Sequence, residues 1–551
     1  MTTYYIDPVV GNNTWSGTLE VPTPTDTPVD GPKQTFVGIA WGTNNIFKLK
    51  CGTSIDIPLT GSIVMTGVNN KITSYGVGAK PIITGSASYP RVNMNAAGQS
   101  LEGLIINSSQ VTNLYSTVLI AAGYATRTTI TNCDFIGNAA NTSGMGISVP
   151  ANAVSSVGGM LIDGCTFTDM WRGVGHEISS ASITQSNYVV RNCTFTNLDD
   201  YGIYFRTVTN WTTSKFTNLL IENNVLSDCG AGIIVQTSNN DYHLVAPVIW
   251  NNNIQIIGNS LSQNVAQITI EPLLAHGGIA MGACENSLIK NNRLIGCSVQ
   301  GALIQTAACR NYIIEDNYCE RAVANRTNYN NDAKGIFIDN RTTTCLCRRN
   351  IVVDCWGIGW REGYYIANGA YPSIEMPDAV GGGIAYYEGM YSQVYSNIII
   401  GCRYGIEWGS AMEVGNIASN NLIVNCTGGA FYQMVALRIY TQFMLLIANN
   451  LAINSGAEFS GTASTVKMLT NVSATERTDI DISELMSDYA AGTITSAKFN
   501  EYFRHHAGSD LIGTGSFVAN YSDSNERKYE VPPSIGPTEY YETSPRALRL
   551  P

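Results

Sequence analysis

One short segment recurs along the chain, and it restricts the fold more than any other feature. The stretches TTITNCDFIGN, MLIDGCTFTDM, YVVRNCTFTNL, LLIENNVLSDC, IQIIGNSLSQN, SLIKNNRLIGC, YIIEDNYCERA, CLCRRNIVVDC, SQVYSNIIIGC, NIASNNLIVNC and MLLIANNLAIN superimpose nearly without gaps. They share one anchor: Cys133, Cys165, Cys193, Asn224, Asn259, Asn292, Asn317, Asn350, Asn397, Asn421 and Asn450. Successive anchors stand 24 to 47 residues apart, most of them near 30. Self-similarity at that period marks stacked units, each unable to bury its apolar face alone.

Each unit has an alternating strand, an Asn or Cys at a corner and a second, apolar strand. A Gly-Ile pair often opens a third, as at Gly202-Ile203, Gly232-Ile233, Gly335-Ile336, Gly383-Ile384 and Gly405-Ile406. The pattern predicts an all-β parallel β-helix of about eleven or more coils. Corner amides can then pair down the stack and satisfy buried polar groups. Cys229, Cys297, Cys355, Cys402 and Cys426 each follow an anchor by five residues, so they are expected to form an inward column. Buried thiols behave as small apolar groups, and such a column suits folding in a reducing compartment better than a disulfide framework does. Cys345-Leu346-Cys347 is too tight for zinc spacing and no second pair answers it, so neither a metal nor a cofactor is expected.

Composition agrees with many turns and little surface charge: 53 Gly and 13% charged residues beside 44% hydrophobic ones. The formal charge of −11 and the lack of basic runs argue against nucleic acid. No apolar run is long enough to span a bilayer, and MTTYYIDPVVGNN lacks the order of a secretory leader. Three parts are expected: residues 1–100 as an N-terminal cap with the first coils, 101–470 as the β-helix with a carbohydrate-binding groove, and 471–551 as a small α/β cap or subunit-contact region. Helical patterning over Ile480 to Tyr489 and Thr495 to His506, with Thr478 or Asp479 placed to cap the first, supports the last of these.

The opening YYIDPVVGNNTWSG, the following IFKLKCGTSI and ITSYGVGAKPIITG, and the closing SDLIGTGS and PPSIGPTEYY resemble the pectate-lyase-like right-handed parallel β-helix superfamily and the bacteriophage tailspikes built on it. The resemblance implies a bacterial capsular or O-antigen polysaccharide as substrate, a homotrimer, phage tail or baseplate partners and a place in the virion tail, with a secreted enzyme as the alternative. It implies neither a nucleic-acid partner nor membrane insertion. The fold hosts lyases, hydrolases, epimerases and pure binders, so it leaves the chemistry open.

If Ile points inward after each Gly, alternate neighbours face solvent. That places Tyr204 with Arg206, and Asp339, Tyr387 and Glu407, on an outer face, with Asp339 and Glu407 two coils and roughly 10 Å apart. The longest insertion, from Trp360 to Gly382, carries Trp360, Arg361, Glu362, Tyr364 and Tyr365 and is expected to wall a groove. Glycoside hydrolysis needs one protonated and one ionised carboxyl. Asp339, Glu407, Glu388 and Glu362 are the candidates, with Trp360, Arg361, Tyr364, Tyr387, Arg341, Trp408, Tyr204 and Arg206 binding sugar. Single acids equally well cap turns or pair with Arg341, Arg361 or Arg403.

A second cluster, His176, Glu177, Asp199, Asp200, Tyr204, Arg206 and His243, would suit a lyase, unless it is a solvated face with His176 packed in the core. Glu271 and His276 form a weaker third candidate. Endo-hydrolysis leads, β-elimination on the same fold is second, and a non-catalytic adhesin is third.

Overall fold

The computed structural model describes residues 1–505 apart from 26, 28, 58–60, 86–88, 112–115, 121–126, 139–143, 150–156, 179–182, 208–213, 238–249, 264–277, 300, 325–332, 340–341, 356–357, 360–380, 388, 410–414, 434–444, 457–458, 461–465, 470 and 475–479. Two compact units divide the chain. The first is Met1–Asn240 with Pro247–Asn264 and Leu274–Glu285, and the second is Asp241–Ala246 and Val265–Leu273 with Asn286–Pro551. Each is a run of right-handed parallel β-helical coils, as the repeat predicts.

The corners explain the repeat. The residue just before each of the eleven anchors, from Asn132 through Asp316 and Arg349 to Asn449, has a φ of 51 to 66°. Asn and Asp visit this left-handed region at lower cost than other side chains, and Gly at none. That preference is why the corners read as Asn-Asn, Gly-Asn or Asp-Asn. A second left-handed residue closes the short second strand: Asp228, Gly296, Asp354, Gly401 and Asn425 have φ of 52 to 68°, and each precedes one of the five column cysteines. The second strand is therefore confined to a few residues between two sharp bends, as in Ile351–Val353 and Ile398–Ile400.

Anchor side chains form a ladder. In the first unit Asn224 donates from Nδ2 to Asn259 Oδ1 at 2.9 Å and to the Val190 carbonyl at 3.0 Å, while its own Oδ1 accepts the Cys193 amide at 3.0 Å. In the second unit Asn292, Asn317, Asn350, Asn397, Asn421, Asn450 and Asn471 are joined amide to amide at 2.9–3.0 Å. Asn471 is one coil more than the sequence pattern identifies. Cys133, Cys165 and Cys193 take the same slot, their thiols aimed at main-chain carbonyls of the corner. All fourteen cysteines are free, and Cys51 alone is not buried.

Side chains of like shape stack between coils. Phe135, Phe167 and Phe195 lie 4.7 Å apart and nearly parallel. Charges alternate beside the second unit's ladder: Lys290, Glu315 and Arg348 are register partners, paired at 2.7 and 2.8 Å. A one-residue slip would break both sets, so they hold the register.

In five coils the glycine that opens the third strand points inward at the bend. A Cβ on Gly173, Gly202, Gly335, Gly383 or Gly405 would overlap Phe195, Leu226, Val352, Ile399 or Ile423, the inward residue of a second strand. Only hydrogen fits there.

The second strands IVV, III, LIV and LAI are apolar on both faces because the C-terminal segment covers their outer side. Helix Ser483–Ala491 and the 3₁₀ turn Ser496–Glu501 bring Leu485, Ile494, Phe499, Tyr502 and Phe503 against Ile351, Val353, Ile398, Ile400, Leu422 and Val424. Tyr489 donates to Asp354 Oδ1 at 2.7 Å. The helix matches the patterning expected over Ile480 to Tyr489, whereas the stretch from Thr495 to His506 holds only the 3₁₀ turn and the short strand Arg504–His505; Asp481 accepts the Ser483 amide at the helix start, and Thr478 and Asp479 lie outside the described residues.

His176 is fully buried in the first unit's core between Tyr188, Phe205 and Phe216, so the packed reading of this residue holds. Among the described residues neither ring nitrogen has a hydrogen-bond partner, and burial pushes its pKa down to about 3. The folded ring stays neutral where an unfolded imidazole would take a proton near pH 6.5. Stability is thus full above about pH 6.5 and falls as the pH drops toward about 3, by several kcal/mol for this one group. We expect acid titration followed by circular dichroism to show this loss, and His176→Phe, which suits the aromatic surroundings, to remove much of it. An unchanged acid profile in His176→Phe would contradict the assignment.

Candidate functional site

Third strands carry the candidate residues on the side facing away from the core. In the second unit, strands Ala302–Ala307, Lys334–Asp339, Gly382–Tyr387 and Tyr404–Gly409 run parallel in register. Gln305, Phe337, Ala385 and Glu407 share one outward column. Asp339 lies in register with Ala307, two residues further along its strand. The expected two-coil spacing of Asp339 and Glu407 is therefore present.

Their expected exposure is not. Glu407 is completely buried and faces the ammonium of Lys334, equally buried, at 3.4 Å. The pair spans an intervening coil because Gly382 has no side chain; a Cβ there would overlap the Glu407 carboxylate. Lys334 also sits 4.4 Å from the centre of the Phe337 ring. A carboxylate at this position thus does have a packing duty, contrary to expectation. Asp339 is 6% exposed and accepts from Gln305 Nε2 at 3.2 Å. Tyr387 is open to solvent and meets Phe337 edge to face.

Trp408 corrects another expectation. It shares a register position with Tyr386 and lies two residues past the inward Ile406, so it belongs to the core with Phe431 rather than to a sugar-binding face. Trp360, Arg361, Glu362 and Tyr364, together with Arg341, Glu388, His243, Glu271 and His276, lie outside the described residues.

The first unit brings a denser cluster together. Strands Arg172–Ile178, Thr194–Thr207 and Val225–Thr237 place Arg172, Glu177, Tyr201, Tyr204 and Arg206 on one outer face. Arg172 donates from Nε to Asp200 at 2.7 Å and lies 3.6 Å from the Trp171 ring and 5.0 Å from that of Tyr201. Tyr201 and Tyr204 stack at 4.4 Å, and Arg206 Nη1 donates to the Tyr204 hydroxyl at 2.9 Å. Burial raises the Asp200 carboxyl above its usual range, against the pull of Arg172. Burial likewise raises the Tyr204 phenol, against Arg206.

Tyr204 is itself almost fully covered, packed with Tyr201, Ala231, Ile234 and Ala280, which corrects the expectation that it faces solvent. Arg206, Glu177, Trp171 and Arg172 remain partly exposed. Sequence reasoning missed Arg172, Trp171, Tyr201, Lys334 and Gln305. A signal was present for three of them: Arg172, Tyr201 and Lys334 each directly precede a third-strand glycine, a slot that projects outward before the inward Gly. Among the described residues no group of His, Cys, Asp and Glu is arranged to hold a metal ion.

The chain belongs to the right-handed β-helix family, whose model, described as the right handed beta helix region, matches residues 57–249 and 185–375, more than half of the sequence. No curated protein matches. Among solved structures the chain is similar to a GH136 lacto-N-biosidase from Eubacterium ramulus, with 11% identity over 86% of this chain and 68% of that one and a TM-score of 0.38. It is also similar to a mannuronic acid specific polysaccharide family 6 lyase from human gut microbiota, with 11% identity, 88% and 90% coverage and a TM-score of 0.36. The pectate lyase Pel9A matches at 14% identity, with 98% and 97% coverage and a TM-score of 0.30.

The Lys334–Glu407 pair supports a direct test. Removing one member of a buried ion pair leaves the other charge stranded, at a cost of about 3–5 kcal/mol. Glu407→Leu alone should lower the melting temperature sharply, and adding Lys334→Met should recover most of the loss. Equal melting of wild type and Glu407→Leu would show that the pair carries no structural load.

Proposed function

We propose that the chain is an endo-acting depolymerase of a bacterial capsular or O-antigen polysaccharide, serving as a homotrimeric tailspike of a phage virion. The observation that carries the reading is the Arg172 cluster. Aromatic rings of Trp171 and Tyr201 stand beside two guanidinium groups and a buried carboxylate on one rigid strand face. Pyranose rings offer the complement: apolar C–H faces for aromatic contact and hydroxyls for charged hydrogen bonds. Free, buried thiols fit a protein folded in a reducing cytoplasm before assembly.

Hydrolysis is the chemistry we assign, through Asp339 and Glu407. The two carboxyls stand two coils apart on one strand face, and Glu407 reaches a sugar only if its ion pair with Lys334 opens. One observation favours elimination instead: a phenol held by a guanidinium, as in Tyr204 and Arg206, joins a proton-transfer group to a cation. The raised Tyr204 phenol weighs against it, because a phenol that holds its proton more tightly serves less well as a base.

The test is mass spectrometry of the products released from a panel of purified capsules and O-antigens. Hydrolysis predicts oligosaccharides with new reducing ends and full hydration. Asp339→Asn should lower turnover by at least about a hundredfold with folding intact. Products two hydrogens and one oxygen lighter, with an unsaturated end and lost in Tyr204→Phe, would establish elimination. Binding without product would leave an adhesin. Sedimentation should show three associated chains, and a 59.4 kDa monomer would remove the tailspike assignment.

A further inference from the structure

Inward residues of the first strands in the second unit, Ile289, Ile314, Cys347, Val394, Ala418 and Ile447, are completely buried. The residue before each of them faces the other way. Leu288, Ile313, Leu346, Gln393, Ile417 and Leu446 thus form an outer column in register, every member partly exposed. At a rise of about 4.8 Å per coil the column runs for roughly 24 Å, and only Gln393 interrupts its aliphatic character. Polar side chains border it on both sides, roughly 7 Å away along each strand. On one side Lys290, Glu315 and Arg348 close upon one another, and Arg348 Nη1 also donates to the Tyr395 hydroxyl at 3.2 Å. On the other, Asn311, Thr344 and Tyr391 make left-handed bends with φ of 51 to 56° and are exposed. Parallel sheets are normally covered on both faces, and the second strands of these coils obey that rule under the C-terminal cap. The first-strand column stays partly open.

We propose that this column is a self-association face, at which three copies of the chain meet about an axis parallel to the stacking direction of these coils. The proposal rests on the homotrimer of the reading above and deepens it by naming the face. Spacing selects a copy of the same chain: a ladder of aliphatic groups at constant rise is matched coil for coil by a parallel partner with the same rise. Width selects the symmetry. A column one residue wide is too narrow for a flat two-sheet sandwich, in which broad apolar faces interleave. It suits a central axis to which each of three chains contributes one column, as seam residues do in a coiled coil. Charge points the same way. Copies of net charge −11 repel one another, but the border charges here are already paired within the chain, so close approach forces no unpaired acids together. The first unit has a shorter run of the same kind, Leu161, Val189 and Leu220, with Asp163 and Arg191 paired at 2.9 Å beside it.

The experiment is sedimentation velocity of the full chain over a concentration series, for wild type, the double variant Ile313→Lys with Leu346→Lys, and Gln393→Leu. Both lysines project outward, so the circular dichroism of the double variant should match that of wild type. The double variant should fall apart into single chains at a concentration at least about a hundredfold above that at which wild type does. Gln393→Leu should stay associated to lower concentration than wild type. Ile313→Cys tests the geometry without adding charge. Thirteen of the fourteen native thiols are buried, so mild oxidation should join two chains through position 313, whereas Val77→Cys, at a fully exposed position, should join none. A double variant that stays associated, with Ile313→Cys not cross-linked, would overturn the face and leave the homotrimer standing. A wild type of two chains would overturn the threefold arrangement, and one that stays single at every concentration would overturn face and homotrimer together. Association lost in the double variant, with no capsule cleaved by wild type, would sustain the face and defeat the depolymerase reading.

Discussion

Everything in this protein hangs on its corners. A parallel strand can return beside itself only if the chain turns sharply, and each turn buries main-chain groups away from water. The solution repeats: a left-handed residue makes the bend, and the next residue turns a small polar side chain inward to bond the exposed amide and carbonyl. Asn does this with one acceptor and two donors, and the Asn224 and Asn350 amides use all of them. A thiol in the same slot satisfies less but occupies the space. With corners fixed, the second strand has a set length, and insertions between coils are free to vary.

This local origin is why so much of the fold was readable. Asn-Asn and Gly-Asn pairs at a near-constant phase are direct consequences of φ preference, and the Gly-Ile pair follows from a steric overlap that only hydrogen avoids. The all-apolar runs IVV and III read only as apolar strands, and the capping helix that covers their outer face is what makes both faces apolar. His176, left open between a lyase cluster and a packed core residue, lies in the core. Parity along the strand, applied from Ile406 to Trp408, puts Trp408 inside, where the sugar-binding expectation had overridden it.

What the pattern could not reveal is what lies over an outward side chain. Glu407 looked exposed from its register, yet its surroundings depend on Lys334, two coils back, and on the missing side chain of Gly382 between them. Such a pair is a property of three strands, and no single segment carries it. Tyr204 is covered for the same kind of reason, by Tyr201 and residues of later coils. The outer faces of the two units also differ in kind. One holds a closed ion pair with a carboxyl nearby, and the other a partly open aromatic and guanidinium cluster.

The central claim, that a glycan is held on the outward third-strand face of this β-helix, is tested most directly by a crystal structure of the chain soaked with oligosaccharides from a panel of bacterial capsules and O-antigens. Sugar density is predicted over Trp171, Arg172 and Tyr201, within hydrogen-bonding distance of Arg206. Density confined to other faces of the coils, with the Arg172 cluster left to solvent, would contradict it.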